Sequence, residues 1–392
     1  MRKEPLKIGI NQLGAVFCII FLVMQPFLYA KISYFELYVV LIAAVTVFNI
    51  VLNKKVYLNT YLIGYTAFAF YCLCSYIWSP NESLFNVRFI NVAVYLLIIL
   101  NIGQYLLSDS AGVRQKCEYL MDVYLFCLIV MTVFCYLAAG NRLRVWARLG
   151  AGVYSTQIHY SCFLLVGMIF AVYKCLFTAG RKRKVYFGIL FFLYLSSVLT
   201  AIRKLLIVPF ICIYLFFLLK YRKRILKITG ITICAACILL VSFYMIMNYS
   251  VSMSHRIQTM MQQFFSNKAA DVSITDRNFL RALAIQCFKE TPLFGYGLGQ
   301  FTYYSVMNGG PGVYAHDNFA ELLATLGIIG TLLYYVPPVY HIAKIQKKHD
   351  ISNDYKYFMI AVFITIYIID IFQVSFYYES YAVLYIILSC LL

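Results

Sequence analysis

The feature that most limits what this chain can fold into is the serial recurrence of long apolar runs. A spanning helix needs about 20 mainly apolar residues. Twelve stretches approach that length, near 8–29, 34–52, 57–77, 89–107, 119–139, 158–177, 185–201, 204–219, 226–248, 318–340, 357–373 and 376–392, with the seventh, eighth and last short. In hydrocarbon every backbone polar group must be satisfied inside the protein, so runs of this kind read as α-helices. The chain is 63% hydrophobic and only 12% charged, whereas a soluble domain is roughly half apolar and about a quarter charged. We therefore expect an all-α polytopic membrane protein with about 12 transmembrane helices. No repeat or low-complexity linker divides it, so residues 1–392 read as a single membrane domain with one long external loop region, 249–317, inside it.

A formal charge of +18 would suggest nucleic acid in a soluble protein. In a membrane protein it reads instead as basic residues retained in cytoplasmic loops. With the N-terminus inside, the cytoplasmic segments and their flanks hold 21 of the 33 basic residues, leaving 12 outside, which places both termini in the cytoplasm. Arg2, Lys3 and Lys7 precede a run long enough to span, with no convincing small-residue cleavage site, so no cleavable signal is expected. Thirteen cysteines lie mostly in apolar segments. Cys72/Cys74 and Cys234/Cys237 have metal-like spacing, but no His or second pair accompanies them. They read as small packing residues, with neither a disulfide framework nor structural zinc.

The external basic residues stand against this charge rule and form three clusters: Arg142, Arg144 and Arg148; Arg203 and Lys204; Arg277 and Arg281. Each has a plainer reading: a headgroup patch for the first, a snorkelling helix-end cation for Arg203, a solvated helix face for the third. Yet Arg203 and Lys204 interrupt an apolar stretch from 185 to 219, where charge is costly unless paired or bound to an anion. In the external segment, Thr275 or Asp276 can cap a helix reaching Glu290, with Phe279, Leu280, Leu283, Cys287 and Phe288 as an apolar stripe suited to a membrane surface. Arg277 and Arg281, four apart, share one face of it.

The most informative stretch is 291–335, TPLFGYGLGQFTYYSVMNGGPGVYAHDNFAELLATLGIIGTLLYY. Pro292 and Gly295, Gly297 and Gly299 open it; a tyrosine-rich polar segment leads to His316; an apolar helix carrying Gly327 and Gly330 follows. Asn318 with Glu321 three residues later reads as a capping box. This pattern resembles the C-terminal signature of the bacterial O-antigen ligase and polymerase superfamily. There a Pro-hydrophobic-hydrophobic-Gly-x-Gly segment leads to a His, with glycines 11 and 14 positions after it, as at Gly327 and Gly330. The resemblance implies a GT-C-like helical bundle and a membrane glycosyltransferase that uses lipid-pyrophosphate-linked glycans. It carries over a helix-end Arg as Arg203 and an Arg fifteen positions before the Pro as Arg277. Lys204 stands where relatives often have Gly, Arg281 where many have an aromatic, and Asp317 where Asn is commoner.

The chemistry follows from residue types. An acceptor hydroxyl needs a base, and an imidazole near neutral pKa suits that task, so His316 is the catalytic candidate. The leaving pyrophosphate gains charge, and planar guanidiniums bind phosphate oxygens bidentately. Arg203, Arg277 and Arg281, with Lys204, form the expected pyrophosphate clamp. Asp317 could orient the imidazole or cap the helix. Tyr303, Tyr314 and Arg142 are candidate glycan contacts, and Tyr296 and Tyr304 could stack on sugars in the same way, against the plainer reading of an aromatic belt. No external acidic cluster has hard-metal spacing, so neither metal nor cofactor is expected. The expected partners are the bilayer, a lipid-linked oligosaccharide donor and acceptor, a flippase and a chain-length regulator, with no nucleic acid. The expected site is the bacterial inner membrane with the reaction on its external face. A polysaccharide polymerase is the first reading and a ligase the second. A transporter or flippase is the alternative of another class, disfavoured because Asp122 and Asp370 sit near helix ends rather than mid-membrane.

Overall fold

The protein is described by a computed structural model over residues 9–24, 33–108, 112–140, 148–150, 153–154, 157–200, 202–249, 254, 258, 272–349 and 351–391. The described residues form α1 (Ile10–Met24), α2 (Ser33–Asn53), α3 (Thr60–Cys74), α4 (Glu82–Leu107), α5 (Val113–Ala139), α6 (Gln157–Phe177), α7 (Gly180–Leu199), α8 (Arg203–Tyr221), α9 (Ile225–Tyr249), α10 (Val272–Glu290), α11 (Gln300–Met307), α12 (Asn318–Lys347), α13 (Asn353–Asp370) and α14 (Glu379–Cys390). Each of the twelve apolar runs overlaps one of the helices α1–α9 and α12–α14. Among the described residues, six helical stretches are long and apolar enough to cross a membrane: Thr60–Trp78, Glu82–Leu107, Val113–Ala139, Ile158–Phe177, Lys204–Tyr221 and Asn318–Lys347. The protein is a polytopic helical membrane protein.

Helix α14 sits at the centre. All of it is buried, packed by α4, α6 and α5. Its 12 residues are too few to cross a bilayer at about 1.5 Å per residue. Around it α13 packs on α8, α7 on α6, α1 on α4 and α5, and α12 on α3 and α10.

Two boundaries differ from the sequence reading in ways that matter. The run expected to start at 89 begins as a helix at Glu82, because the Asn81 side chain accepts from the Leu84 amide at 3.0 Å. Arg88 is thereby a helical residue. The α12 cap also falls one residue earlier than expected. Asp317 is the N-cap, accepting from Ala320 N at 3.0 Å. Glu321 reaches back to the Ala315 amide at 2.7 Å. Asn318, released from capping, is buried and accepts from the Ser375 amide at 2.8 Å while donating to Tyr335 Oη at 2.7 Å. It ties α12 to the α13–α14 connection. Helix α10 also differs: its Leu280, Leu283, Ala284 and Cys287 are buried against Phe301, Ala315, Ala320 and Ala324, so the stripe is covered by protein rather than laid on a membrane surface.

Candidate active site

The glycine signature explains itself once the α12 backbone is followed. Helix α12 breaks at Gly327, whose φ of 64° and ψ of −166° are not helical. A break inside a membrane helix frees backbone groups that must find partners. Here the 292–297 segment supplies them. Tyr296 N donates to Ala324 O at 3.0 Å and Gly297 N to Thr325 O at 2.7 Å. Ile328 N donates to Pro292 O at 2.9 Å and Ile329 N to Leu293 O at 3.4 Å. Tyr71 Oη takes Leu326 O at 3.1 Å. The backbones approach so closely that a Cβ at Gly327 would overlap the Leu293 carbonyl, and one at Gly295 would overlap the Thr325 carbonyl. Both glycines also have positive φ, a region side chains disfavour. The spacing of the motif is therefore the geometry of an interlock between a loop and a broken helix.

This interlock fixes the loop that delivers His316. That residue has φ of 58°, a left-handed conformation uncommon outside glycine and the kind of strain that collects at functional sites. The half-buried imidazole makes no hydrogen bond with any described residue. Its ring lies 4.2 Å from the Tyr314 ring. Burial, and then the positive charges of Arg277 and Lys204, hold its pKa down at about 4 against an ordinary 6.5. The imidazole is thus neutral at pH 7, as a base must be.

The N-termini of α4, α6, α8, α12 and α14 gather around the 371–378 connection on this face. Lys204, half-buried in the first turn of α8, donates to Gln373 Oε1, and Gln373 in turn to Cys162 Sγ on α6. His159 Nε2 on α6 meets Glu379 Oε2 of α14 at 3.0 Å, both buried. Arg88 of α4 lies over the Tyr377 ring, 4.5 Å from its centroid. Helix N-termini and convergent cations together favour an anionic ligand.

The expected site residues separate here. His316 packs on Tyr314, and Arg277 and Lys204 lie within electrostatic reach of the imidazole. Arg277 is exposed and has no hydrogen-bond or ion-pair partner among the described residues. Arg281 points elsewhere: its Nε meets Asp317 Oδ2 at 2.9 Å and its Nη2 donates to Ile371 O at 2.7 Å. Asp317 is engaged by that ion pair and by the α12 cap, not by the imidazole. Arg203 opens α8, its side chain lying outside the described residues, as do Arg142 and Arg144 entirely. Tyr303 is partly buried on α11. Tyr296 and Tyr304 both donate to Glu290, the latter at 3.0 Å, with rings 4.9 Å apart. Arg88, Gln373, Cys162 and the His159–Glu379 pair were not anticipated. Only the ionisable residues at helix starts could have signalled them.

No curated protein matches the chain. Residues 185–335, from α7 through the interlocked half of α12 and including Arg203, Arg277 and His316, match the O-antigen ligase family model, which supports a likeness to the O-antigen ligase and polymerase superfamily.

Proposed function

We propose that this protein is a membrane glycosyltransferase that joins oligosaccharide units carried on undecaprenyl pyrophosphate, as an O-antigen or capsular polysaccharide polymerase. What supports the reading is the O-antigen ligase match over residues 185–335, together with a strained His316, unbonded among the described residues, whose pKa is held down by burial and then by Arg277 and Lys204. In the reaction His316 takes the proton of an acceptor sugar hydroxyl. That oxygen attacks the anomeric carbon of the donor, and the bond from that carbon to the phosphate oxygen breaks with its electron pair on the phosphate. The products are a longer glycan and lipid pyrophosphate. A single displacement inverts the anomeric carbon. Arg277, Lys204 and Arg203 neutralise the departing pyrophosphate without a metal ion. Preorganised cations of this kind are each worth about 10²–10³ in rate.

In this reading the apolar helices form a bundle in the bacterial inner membrane with the short α14 buried among them, both termini are cytoplasmic, and the His316 face is external. The loop charges support that orientation. Arg281 then acts indirectly, holding Asp317 and the start of α12. The family match favours a ligase equally on its own terms, with a finished glycan moved to lipid A core or another acceptor. Purified protein with lipid-linked donor and acceptor tests the proposal. A ladder of lengthening lipid-linked glycan marks a polymerase, one transfer to a different acceptor marks a ligase, and no release of lipid pyrophosphate points to the transporter alternative.

A further inference from the structure

Arg88 lies outside the region matched by the family, on α4, yet its guanidinium reaches the same face. It is partly buried and has no hydrogen bond or ion pair with any described residue. Its guanidinium lies over the Tyr377 ring, 4.5 Å from the centroid. Tyr314, Tyr378 and Glu321 stand within electrostatic reach of it. Glu321 forms no ion pair with it, and one of its carboxylate oxygens accepts from the Ala315 amide at 2.7 Å. The aliphatic stem of Arg88 closes against Gly299, where a Cβ would strike Arg88 Cγ, so the glycine segment fixes the arginine's course. A guanidinium partly withdrawn from water with its donors unused is costly unless an acceptor arrives. Five donors in a planar fork suit a phosphate or carboxylate. Tyr314 feels both Arg277 and Arg88, whereas His316 feels Arg277 and Lys204. Arg88 thus shares Tyr314 with Arg277 as an electrostatic neighbour while contacting the Tyr377 ring.

We propose that Arg88, held over the Tyr377 ring and against Gly299, is a second anion-binding residue of the substrate site and takes an oxygen of a phosphate or carboxylate carried by the lipid-linked glycan. The inference rests on the glycosyltransferase reading for the identity of that glycan, but not for the anion site. The test is calorimetric binding of inorganic pyrophosphate, glucuronate and neutral glucose to the full chain in lipid nanodiscs. Wild type is compared with Arg88→Gln, Arg88→Met and Arg88→Lys, each checked by thermal unfolding. Arg88→Met keeps the stem that packs on Gly299, and Arg88→Lys keeps the charge without the fork. Loss of a charge-assisted contact lowers affinity by about tenfold or more. Weakened pyrophosphate binding in Gln and Met, partly restored in Lys, assigns the residue to the donor phosphates. Unchanged pyrophosphate binding with weakened glucuronate binding assigns it to an acidic sugar. Pyrophosphate and glucuronate affinities both unchanged in a folded Arg88→Met protein overturn the proposal. An Arg88-dependent pyrophosphate site in a wild-type protein that transfers no glycan would leave this inference standing and remove the reaction.

Discussion

Two buried-end lysines make an instructive contrast. Lys174, at the last turn of α6, is buried and meets Asp122 Oδ2 at 2.9 Å, while Tyr186 Oη holds the other carboxylate oxygen at 2.8 Å. Nearby on that end of the bundle Lys220 pairs with Asp354 at 2.6 Å and Arg114 with Glu118 at 2.9 Å. Lys204, at the first turn of α8, has among the described residues an amide oxygen from Gln373 and no carboxylate, and it lies within electrostatic reach of the His316 imidazole. One end of the molecule answers its cations with carboxylates. The other gathers Arg88, Lys204 and Arg277 with few, and Arg281 alone has taken Asp317. Cations without acid partners near the membrane are costly, and in the proposed reaction the donor's pyrophosphate would be their counter-charge.

Substitutions can break that contrast. His316→Ala is expected to lower kcat by about 10³-fold while donor binding survives, since general-base removal typically costs about 10²–10⁴; full turnover in single-turnover assays would remove the base. Arg277→Ala should lower kcat/KM by about 10²-fold, whereas Lys174→Met should lower the melting temperature and leave kcat nearly unchanged. Equal effects of both on kcat would dissolve the distinction between the two ends. Gly327→Ala is expected to cost about 2–3 kcal/mol in thermal unfolding, with loss of activity in parallel, because the Cβ meets the Leu293 carbonyl. Arg281→Ala, acting through Asp317, should reduce kcat by about tenfold, and a combined Arg281→Ala/Asp317→Asn variant should add little, as groups in one pair are not additive.

The smallest effect is in pH. His316 titrates at about 4, below the ordinary 6.5, so the free enzyme should keep a neutral base, and its kcat/KM, down to about pH 4. Between these values the unfolded chain binds the proton first, so the folded state loses stability as pH falls through that window. A bound pyrophosphate offsets Arg277 and Lys204, so the acid limb of kcat should lie higher than that of kcat/KM. An acid limb of kcat/KM at 6.5 would mean that His316 is not screened by those cations.

His316, Arg277 and the glycines were legible because a single segment and one exposed helix carry them. Helicity was equally legible, since apolar runs of such length have few alternatives in a bilayer. Arg88 was not, because a charged residue ahead of an apolar run looks like a loop until the Asn81 cap extends the helix through it. The pairing of Arg281 with Asp317 was hidden for another reason: the two are far apart in sequence, and helical spacing predicts which side chains share a face but not what meets that face. The α10 stripe showed its amphipathic character but not its partner, which is α12 and its loop rather than lipid. The break at Gly327 left only a glycine as its trace, because the hydrogen bonds that compensate it come from residues thirty-odd positions earlier.

That compensation bears on how the protein is made. A helix with Ala324, Thr325, Ile328 and Ile329 lacking their usual partners is a poor passenger for the translocon, which releases segments to lipid by apparent transfer energy. The segment 292–297 is synthesised just ahead of it and carries the matching groups. Biogenesis of the second half of this chain is then a docking event between neighbours in time, and a ribosome-stalled chain long enough past Lys347 for α12 to have left the ribosome should already protect 292–297 from protease, whereas a Pro292–Gly297 deletion should leave α12 extractable by alkali.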